Sequence, residues 1–198
     1  GAARTAGELV RRRATRRRTR LRPLVFLLDV SGSMAPFARA LLQYARVSAI
    51  ARPRVRAFAF ATQLTDLTPL LRRAGDAGLM AAIGSTVRDY GGGTRIGAAL
   101  HAFNEHHAQR GAARGGTVVI LSDGWERDDP ALVGVEMQRL RRLARRVVWV
   151  NPHKRHPAYE PLARGMAAAL PYLDAFVSGH SLRTLDAVAD AIEGNVMT

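Results

Sequence analysis

Short apolar runs that alternate with amphipathic helical segments are the feature that most constrains the fold of this chain. The run at 23–28 (PLVFLL) is apolar throughout, as expected for a strand that is covered on both faces of a parallel sheet. Further strand-like runs lie at 54–60, 116–124, 146–152 and 174–179. Because such alternation requires right-handed crossovers, it predicts an α/β fold with a doubly wound, mostly parallel six-stranded sheet and helices on both faces.

The sixth strand is predicted at 62–71, antiparallel to the run at 54–60 and at one edge of the sheet. Leu64, Asp66 and Thr68 alternate along this segment, and Pro69 lies within it. Proline is confined largely to edge strands because it cannot donate a ladder hydrogen bond. We therefore expect one antiparallel edge strand here.

Helices are predicted between the strands from apolar periodicity and end signals. Asp129 followed by Pro130 is a typical helix start, with an N-cap side chain and proline in the first turn, and this helix is predicted to run through Arg146. The other helices are predicted from Pro36 to Ala51, at 76–87, after the glycine-rich loop that precedes Ile96, at 159–170 and at 181–193.

Charge divides the chain into a basic Arg-rich linker at 1–21 and one domain at 22–198. Residues 1–22 carry +8 of the formal net charge of +14. Such a segment either binds nucleic acid electrostatically or is a solvated linker, and the lack of aromatic residues for base stacking favours the linker. The absence of cysteine excludes disulfides and suits a reducing cytoplasm. No apolar run approaches the roughly 20 residues that span a bilayer.

Oxygen-bearing side chains follow the strand-like runs. Asp29, Ser31 and Ser33 come after the first strand, Thr94 ends a glycine-rich loop, and Asp123 follows the strand near 117–122. Ligands of doubly wound sheets bind beyond the carboxyl ends of the strands, so these five side chains are expected to converge. Hard oxygen ligands with few carboxylates suit Mg²⁺, with Mn²⁺ or Ca²⁺ as substitutes.

The three loops resemble the metal-ion-dependent adhesion site of von Willebrand factor type A (VWA) domains. The matching motifs are DVSGS, GGGTRIG and LSDG, and the resemblance covers about residues 22–193. It implies a Rossmann-like VWA fold in which Ser31 and Ser33 coordinate Mg²⁺ directly and Thr94 does so directly or through water. It also implies that Asp29 and Asp123 act mainly through water and hydrogen bonds, and that an acidic side chain of a partner protein completes the coordination.

A narrower resemblance is to the bacterial CoxE family of carbon monoxide dehydrogenase accessory proteins. The stretches that carry it include LLDVSGSMAPFARALL, SDGWERDDP and SGHSL. Members are typically longer, with a helical region ahead of the VWA domain, so this chain is expected to be a piece of a longer protein. The resemblance implies an adaptor that works with a MoxR-type AAA+ ATPase in maturing a client enzyme, such as a molybdenum-containing carbon monoxide dehydrogenase.

The partner-binding rim is predicted to include Gly93, Trp125 and Glu126. Trp125 follows the Asp123–Gly124 turn, where it either is an exposed partner contact or packs against the next helix. A magnesium-dependent phosphatase with Asp29 as nucleophile is a further alternative, but Ser31 stands where such enzymes usually have a second aspartate. No P-loop lysine and no Ser–His pairing is indicated, so we expect no catalysis.

Overall fold

Within the described residues, six strands form a single sheet: β1 (Leu24–Asp29), β2 (Val55–Phe60), β3 (Leu64–Asp66), β4 (Thr117–Leu121), β5 (Arg146–Asn151) and β6 (Ala175–Ser178). Their order is β3-β2-β1-β4-β5-β6, and every neighbouring pair is parallel except β2 and β3. The structure is a computed structural model and describes residues 21–73, 93–153, 163–178 and 182–194. The predicted six-stranded α/β sheet with one antiparallel edge strand is confirmed.

In the part of the chain that the structure describes, six helices cover the two faces of the sheet: α1 (Ala35–Ala51), α2 (Thr68–Arg73), α3 (Ile96–Phe103), α4 (Pro130–Leu143), α5 (Arg164–Ala169) and α6 (Leu182–Glu193). A π-helical turn at Asn104–Ala108 extends α3, and a 3₁₀ turn at Leu170–Tyr172 follows α5. Helices α1, α2 and α6 contribute to one apolar core, and α3, α4 and α5 to the other. None of the helices within the described ranges has the length and apolar character that crossing a bilayer requires.

Strand β1 lies at the centre of the sheet, and all six of its side chains are buried. Because successive side chains of a strand point to opposite faces, Phe26 and Leu28 enter the first core while Val25 and Leu27 enter the second. The continuous apolar run therefore reflects burial on both faces, as the sequence predicts.

The sheet reverses its winding direction beside β1. From β1 the chain proceeds to β2 on one side and later to β4 on the other. Connections that leave two adjacent parallel strands in opposite directions open a crevice at the carboxyl ends of those strands. The topology therefore places the loops after β1 and β4 next to each other.

The prediction for 62–71 is wrong over its second half, because the strand ends at Asp66 and α2 begins at Thr68. The Asp66 carboxylate accepts a hydrogen bond from the Thr68 backbone N–H at 2.9 Å, which satisfies one donor of the new helix. Pro69 lies in the first helical turn, where proline needs no hydrogen-bond partner. This local capping explains why alternation stops after three residues.

The predicted end of α4 is also corrected. The helix starts at Pro130 with Asp129 as N-cap, whose carboxylate accepts from the Ala131 N–H at 2.9 Å, but it ends at Leu143. Ala144 has extended backbone angles and bridges to Arg114, and Arg146 already belongs to β5. The predicted helix at 76–87, the first residues of the one predicted at 159–170 and residues 1–20 of the predicted linker at 1–21 lie outside the described residues.

A glycine in α5 sets the distance between this helix and the loop after β4. A Cβ placed on Gly165 would lie 2.7 Å from the carbonyl oxygen of Gly124 and 3.0 Å from the Cβ of Glu126. We expect Gly165→Ala to lower the free energy of unfolding by about 1–3 kcal/mol through overpacking, measured by urea denaturation.

The matched control is the same change in α4. A Cβ on Gly134 would meet the carbonyl oxygen of Ala168 at an ordinary 3.6 Å. Gly134→Ala is therefore expected to leave stability unchanged or to raise it by up to ~1 kcal/mol through helix propensity. Equal losses in both variants would contradict the packing described for Gly165.

Candidate metal centre

Three loops meet at the carboxyl ends of β1 and β4: the first follows β1, the second precedes α3 and the third follows β4. Hydrogen bonds between their side chains join them. Thr94 Oγ1 donates to Asp29 Oδ1 at 3.4 Å, which joins the second loop to the first. Ser33 Oγ donates to Asp123 Oδ2 at 3.1 Å, and Ser122 Oγ donates to Asp29 Oδ2 at 2.9 Å. The structure thus brings the predicted oxygen-bearing loops together at one point.

Asp29 is the innermost member of this group and is fully buried. Besides the two hydroxyl groups, the Ser31 backbone N–H donates to Asp29 Oδ1 at 2.9 Å. Burial raises the pKa of Asp29 to about 6, because loss of solvation outweighs the hydrogen bonds from Ser31 and Ser122, which lower it. The charged carboxylate is therefore costly unless a cation compensates it.

Asp123 lies closer to the surface, although it is also buried. Its Oδ1 accepts from the Trp125 backbone N–H at 3.1 Å, which closes a turn, and its Oδ2 accepts from Ser33. The backbone carbonyl of Asp123 accepts from Asn151 Nδ2 at 3.2 Å. The carboxylate is thus oriented from the loop side and from the neighbouring strand β5.

Ser122 and Asn151 are positioning residues that the sequence analysis missed. Ser122 is fully buried, donates to Asp29 and accepts from the Gly124 N–H at 3.0 Å, while its carbonyl accepts from Trp149 Nε1 at 2.8 Å. Both residues carry a detectable signal: Ser122 directly precedes Asp123, and Asn151 ends the strand beside β4. Each is a polar residue at a strand end, which is the criterion by which the other site residues were predicted.

Glu126, which is predicted as a partner contact, also has a structural role in the third loop. It is only 8% exposed, its Oε2 accepts from the Gly97 N–H at 2.7 Å and its Oε1 from the Asp128 N–H at 2.8 Å. In addition, the Arg127 N–H donates to the carbonyl of Thr94 at 3.0 Å. Glu126 therefore fixes the third loop to the start of α3, because its carboxylate satisfies backbone donors that would otherwise lack partners.

The loops line an open cleft of about 500 Å³. Its lining consists of Ser31, Gly32, Ser33, Gly93, Thr94, Asp123, Trp125, Glu126 and Arg127. Trp125 is 71% exposed, so the alternative in which it packs against the next helix is wrong. Gly93 is exposed as well, beneath the side chain of Arg127. An accessible aromatic ring therefore stands beside the oxygen-bearing side chains.

The chemistry of the donors fits a hard cation. The five side chains supply only carboxylate and hydroxyl oxygens, and the described residues contain no group of three or more His, Cys, Asp or Glu side chains that would suit a metal. A site with two carboxylates and three hydroxyls matches the preference of Mg²⁺ for oxygen ligands and retained water. Asp29, Ser31, Ser33, Thr94 and Asp123 are the residues that would hold the ion.

The buried charge of Asp29 predicts a trade-off between metal binding and stability. The pKa of Asp29 is about 6 in the folded protein and 3.8 in the unfolded chain. Protonation of Asp29 therefore contributes fully to the free energy of unfolding below pH 4, and this contribution is lost as the pH rises through 6. We expect Asp29→Asn to raise the unfolding free energy of the metal-free protein at pH 7.5 by roughly 1–3 kcal/mol. The same variant should lose stabilisation by Mg²⁺, measured by urea denaturation with and without the ion.

Asp66→Asn is the control, and its expected effect on the free energy of unfolding has the opposite sign. Burial alone would raise the pKa of Asp66, but hydrogen bonds from Thr68 and the Arg56 guanidinium lower it below its ordinary value. This change should therefore destabilise the protein at pH 7.5 and leave the response to Mg²⁺ intact. Destabilisation of the metal-free protein by Asp29→Asn would contradict the electrostatic account of the site.

Several solved structures share this fold. An aerotolerance-related membrane protein from Bacteroides fragilis aligns with a TM-score of 0.57 at 14% identity, over 87% of this chain and 98% of the other. A von Willebrand factor type A protein from Catenulispora acidiphila aligns with a TM-score of 0.54 at 16% identity, over 88% and 42%. Proximal thread matrix protein 1 from the mussel byssus, with a zinc-occupied adhesion motif, aligns with a TM-score of 0.51 at 15% identity, over 87% and 44%.

A search among curated proteins gives no match. VWA domains mediate protein interactions and often bind a metal at the adhesion motif, as the zinc-occupied mussel structure illustrates. A family model described as a VWA domain containing CoxE-like protein matches residues 2–185, nearly the whole chain. Together with the sheet order and the convergence of the three loops, this match shows that the chain belongs to the CoxE-like family of VWA-domain proteins.

Proposed function

We propose that this chain is a non-catalytic, Mg²⁺-dependent protein-binding module. The observation that carries the proposal is the meeting of three loops with oxygen donors in a solvent-open cleft, beside an exposed tryptophan. An enclosed site would favour a small substrate, whereas an open one admits a side chain from another protein. The side chains that are accessible at the rim of this cleft therefore indicate what the module binds.

The metal would be held by neutral hydroxyl groups close to two carboxylates. Ser33 is exposed and Ser31 lies at the edge of the cleft, while Asp29 is buried beneath them. When bound, Mg²⁺ supplies a position that attracts a carboxylate from a partner. The serine hydroxyls leave the charge of the ion incompletely neutralised on the solvent side, which supports an acidic residue as the partner's contact.

The rim offers the features of a protein-binding hot spot. Trp125 projects into solvent, and the backbone at Gly93 is accessible beside it. Arg127 adds a cation at the same rim. Tryptophan and arginine are enriched among the residues that dominate binding energy, and a cation favours an acidic partner.

The environment of Asp29 supports a binding role over a phosphatase role. Its carboxylate is fully buried, and hydrogen bonds occupy both of its oxygens. A nucleophilic carboxylate must reach the substrate, whereas the carboxylate of Asp29 lies beneath Ser31 and Ser33. The buried carboxylate is better suited to fixing Ser31 and Thr94 in place than to attacking a phosphoester.

We further propose a MoxR-type AAA+ ATPase as the partner and a cytoplasmic metalloenzyme as the client. Membership in the CoxE-like family supports this choice, since the resemblance implies maturation of a molybdenum-containing carbon monoxide dehydrogenase. In this arrangement the VWA module would connect the ATPase to the client. The metal would make that connection reversible, because its removal would release the acidic contact.

The test is a binding measurement between this chain and a MoxR-type ATPase in Mg²⁺ and after chelation. Chelation should abolish binding. Trp125→Ala should weaken it at least about tenfold, as expected for a hot-spot residue, while the affinity for Mg²⁺ measured by calorimetry stays unchanged. This separation is expected because the Trp125 ring contributes no oxygen to the site.

Ile50→Ala is the matched control, because Ile50 is 74% exposed but lies on α1, outside the residues that line the cleft. It should leave binding of the ATPase unchanged. Binding that survives chelation, or an equal loss in both variants, would contradict the proposed interface. Phosphoester turnover that Asp29→Asn eliminates would contradict the non-catalytic role.

A further inference from the structure

A second cleft lies at the opposite edge of the sheet, where β1, β4 and β5 begin. It has a volume of about 230 Å³ and is more enclosed than the cleft of the metal centre. Its lining consists of Leu21, Arg22, Pro23, Leu24, Arg52, Thr117, Arg145, Arg146, Ile192 and Glu193. None of these residues takes part in the proposed protein-binding function.

The charge of this cleft is strongly positive. Among the described residues, four arginines and one glutamate line it, a formal excess of three positive charges. Helices α1 and α6 end beside it, and each helix C-terminus carries about half a negative charge. These partial charges and Glu193 together offset only about half of the four guanidinium charges.

Glu193, the carboxylate among the described lining residues, forms only a weak ion pair. Glu193 approaches Arg52 only to 3.9 Å, and its side chain is 58% exposed. Exposed ion pairs of this kind contribute little, because solvent screens the charges. Glu193 therefore does not serve as the counter-ion of the whole cleft.

Arg146 carries an unsatisfied donor inside this environment. Its Nε is buried and has no hydrogen-bond partner among the described residues, while its terminal nitrogen packs against Gly194 at the end of α6. A buried polar group without a partner is costly, and such groups in native structures call for an explanation such as an absent ion. Arg146 lines the cleft, so an oxyanion bound there would place acceptors beside its guanidinium group.

The size of the cleft and the chemistry of its lining restrict the ligands that it can bind. The volume is below the roughly 300–1,000 Å³ typical of pockets for drug-sized ligands. Guanidinium groups match the oxygens of phosphate in a bidentate geometry, and several of them are needed to neutralise a doubly charged anion. We propose that the cleft formed by Arg22, Arg52, Arg145 and Arg146 binds a phosphate group, either as free phosphate or as a phosphomonoester.

The competing explanation is that these arginines only neutralise the C-terminal ends of α1 and α6. That explanation accounts for Arg52, which caps α1, but leaves Arg146 Nε without a partner. It also predicts that the arginine variants lose stability without any dependence on phosphate. The two explanations therefore differ in a measurable way.

The experiment is a calorimetric titration with inorganic phosphate and, in a second arm, phenyl phosphate at constant ionic strength. Bound metal is first removed by chelation and gel filtration, so that phosphate cannot bind at an ion in the other cleft. Saturable one-to-one binding is expected, and Arg146→Gln should weaken it at least about tenfold by removing charge-assisted hydrogen bonds. Arg145→Gln, at an exposed residue of the same cleft, gives a second variant should Arg146→Gln fail to fold.

Arg54→Gln is the matched control, because Arg54 lies on the same edge of the sheet but lines a neighbouring cleft. It removes the same charge and should leave phosphate affinity within about twofold, since exposed charges outside the cleft are screened. Binding of phosphate alone identifies the free anion as the ligand, and binding in both arms identifies the phosphate group of either form. Absence of saturable binding, or equal weakening by Arg54→Gln and Arg145→Gln, would overturn the proposal.

Discussion

The buried carboxylate of Asp29 is the constraint on which the organisation of this protein depends. It stands at the end of a strand that is covered on both faces, where an uncompensated negative charge is expensive. Donors from all three loops converge on it: the Ser31 N–H, the Thr94 hydroxyl and the Ser122 hydroxyl. These hydrogen bonds offset only part of the free-energy cost of burying the charge, because burial still raises the pKa of Asp29 to about 6. A cation in the cleft would offset that remainder.

The two edges of the sheet are built for opposite charges. At the carboxyl edge, carboxylates and hydroxyls collect beside the starts of α1, α3 and α4, and the helix N-termini there favour an incoming anion once a cation is bound. At the amino edge, arginines collect beside the ends of α1 and α6. The sheet sorts its loops in this way because all of its strands except the edge strand β3 run in the same direction. One domain can therefore present two chemically distinct surfaces on opposite sides.

Much of the architecture was predictable because burial leaves a direct mark on sequence. The apolar runs at β1 and β5 and the Asp129–Pro130 helix start predicted elements that the structure contains. The errors arose where a local side-chain contact competes with the pattern, as when Asp66 caps α2 and ends the edge strand. The structural role of Glu126 was not predicted because its partner, the Gly97 N–H, is distant in sequence. The arginine cleft was not foreseen, since its residues come from separate segments that only the fold brings together.

The most direct test of the central claim is a crystal structure of this chain with Mn²⁺ in place of Mg²⁺, analysed by anomalous scattering. We expect one anomalous peak among the three loops, with Ser31 and Ser33 Oγ at coordination distance, roughly 2.0–2.3 Å. The same experiment on Asp29→Asn should show no peak there. A peak elsewhere, or a loop cleft without metal in crystals of the unaltered chain at millimolar Mn²⁺, would contradict the account.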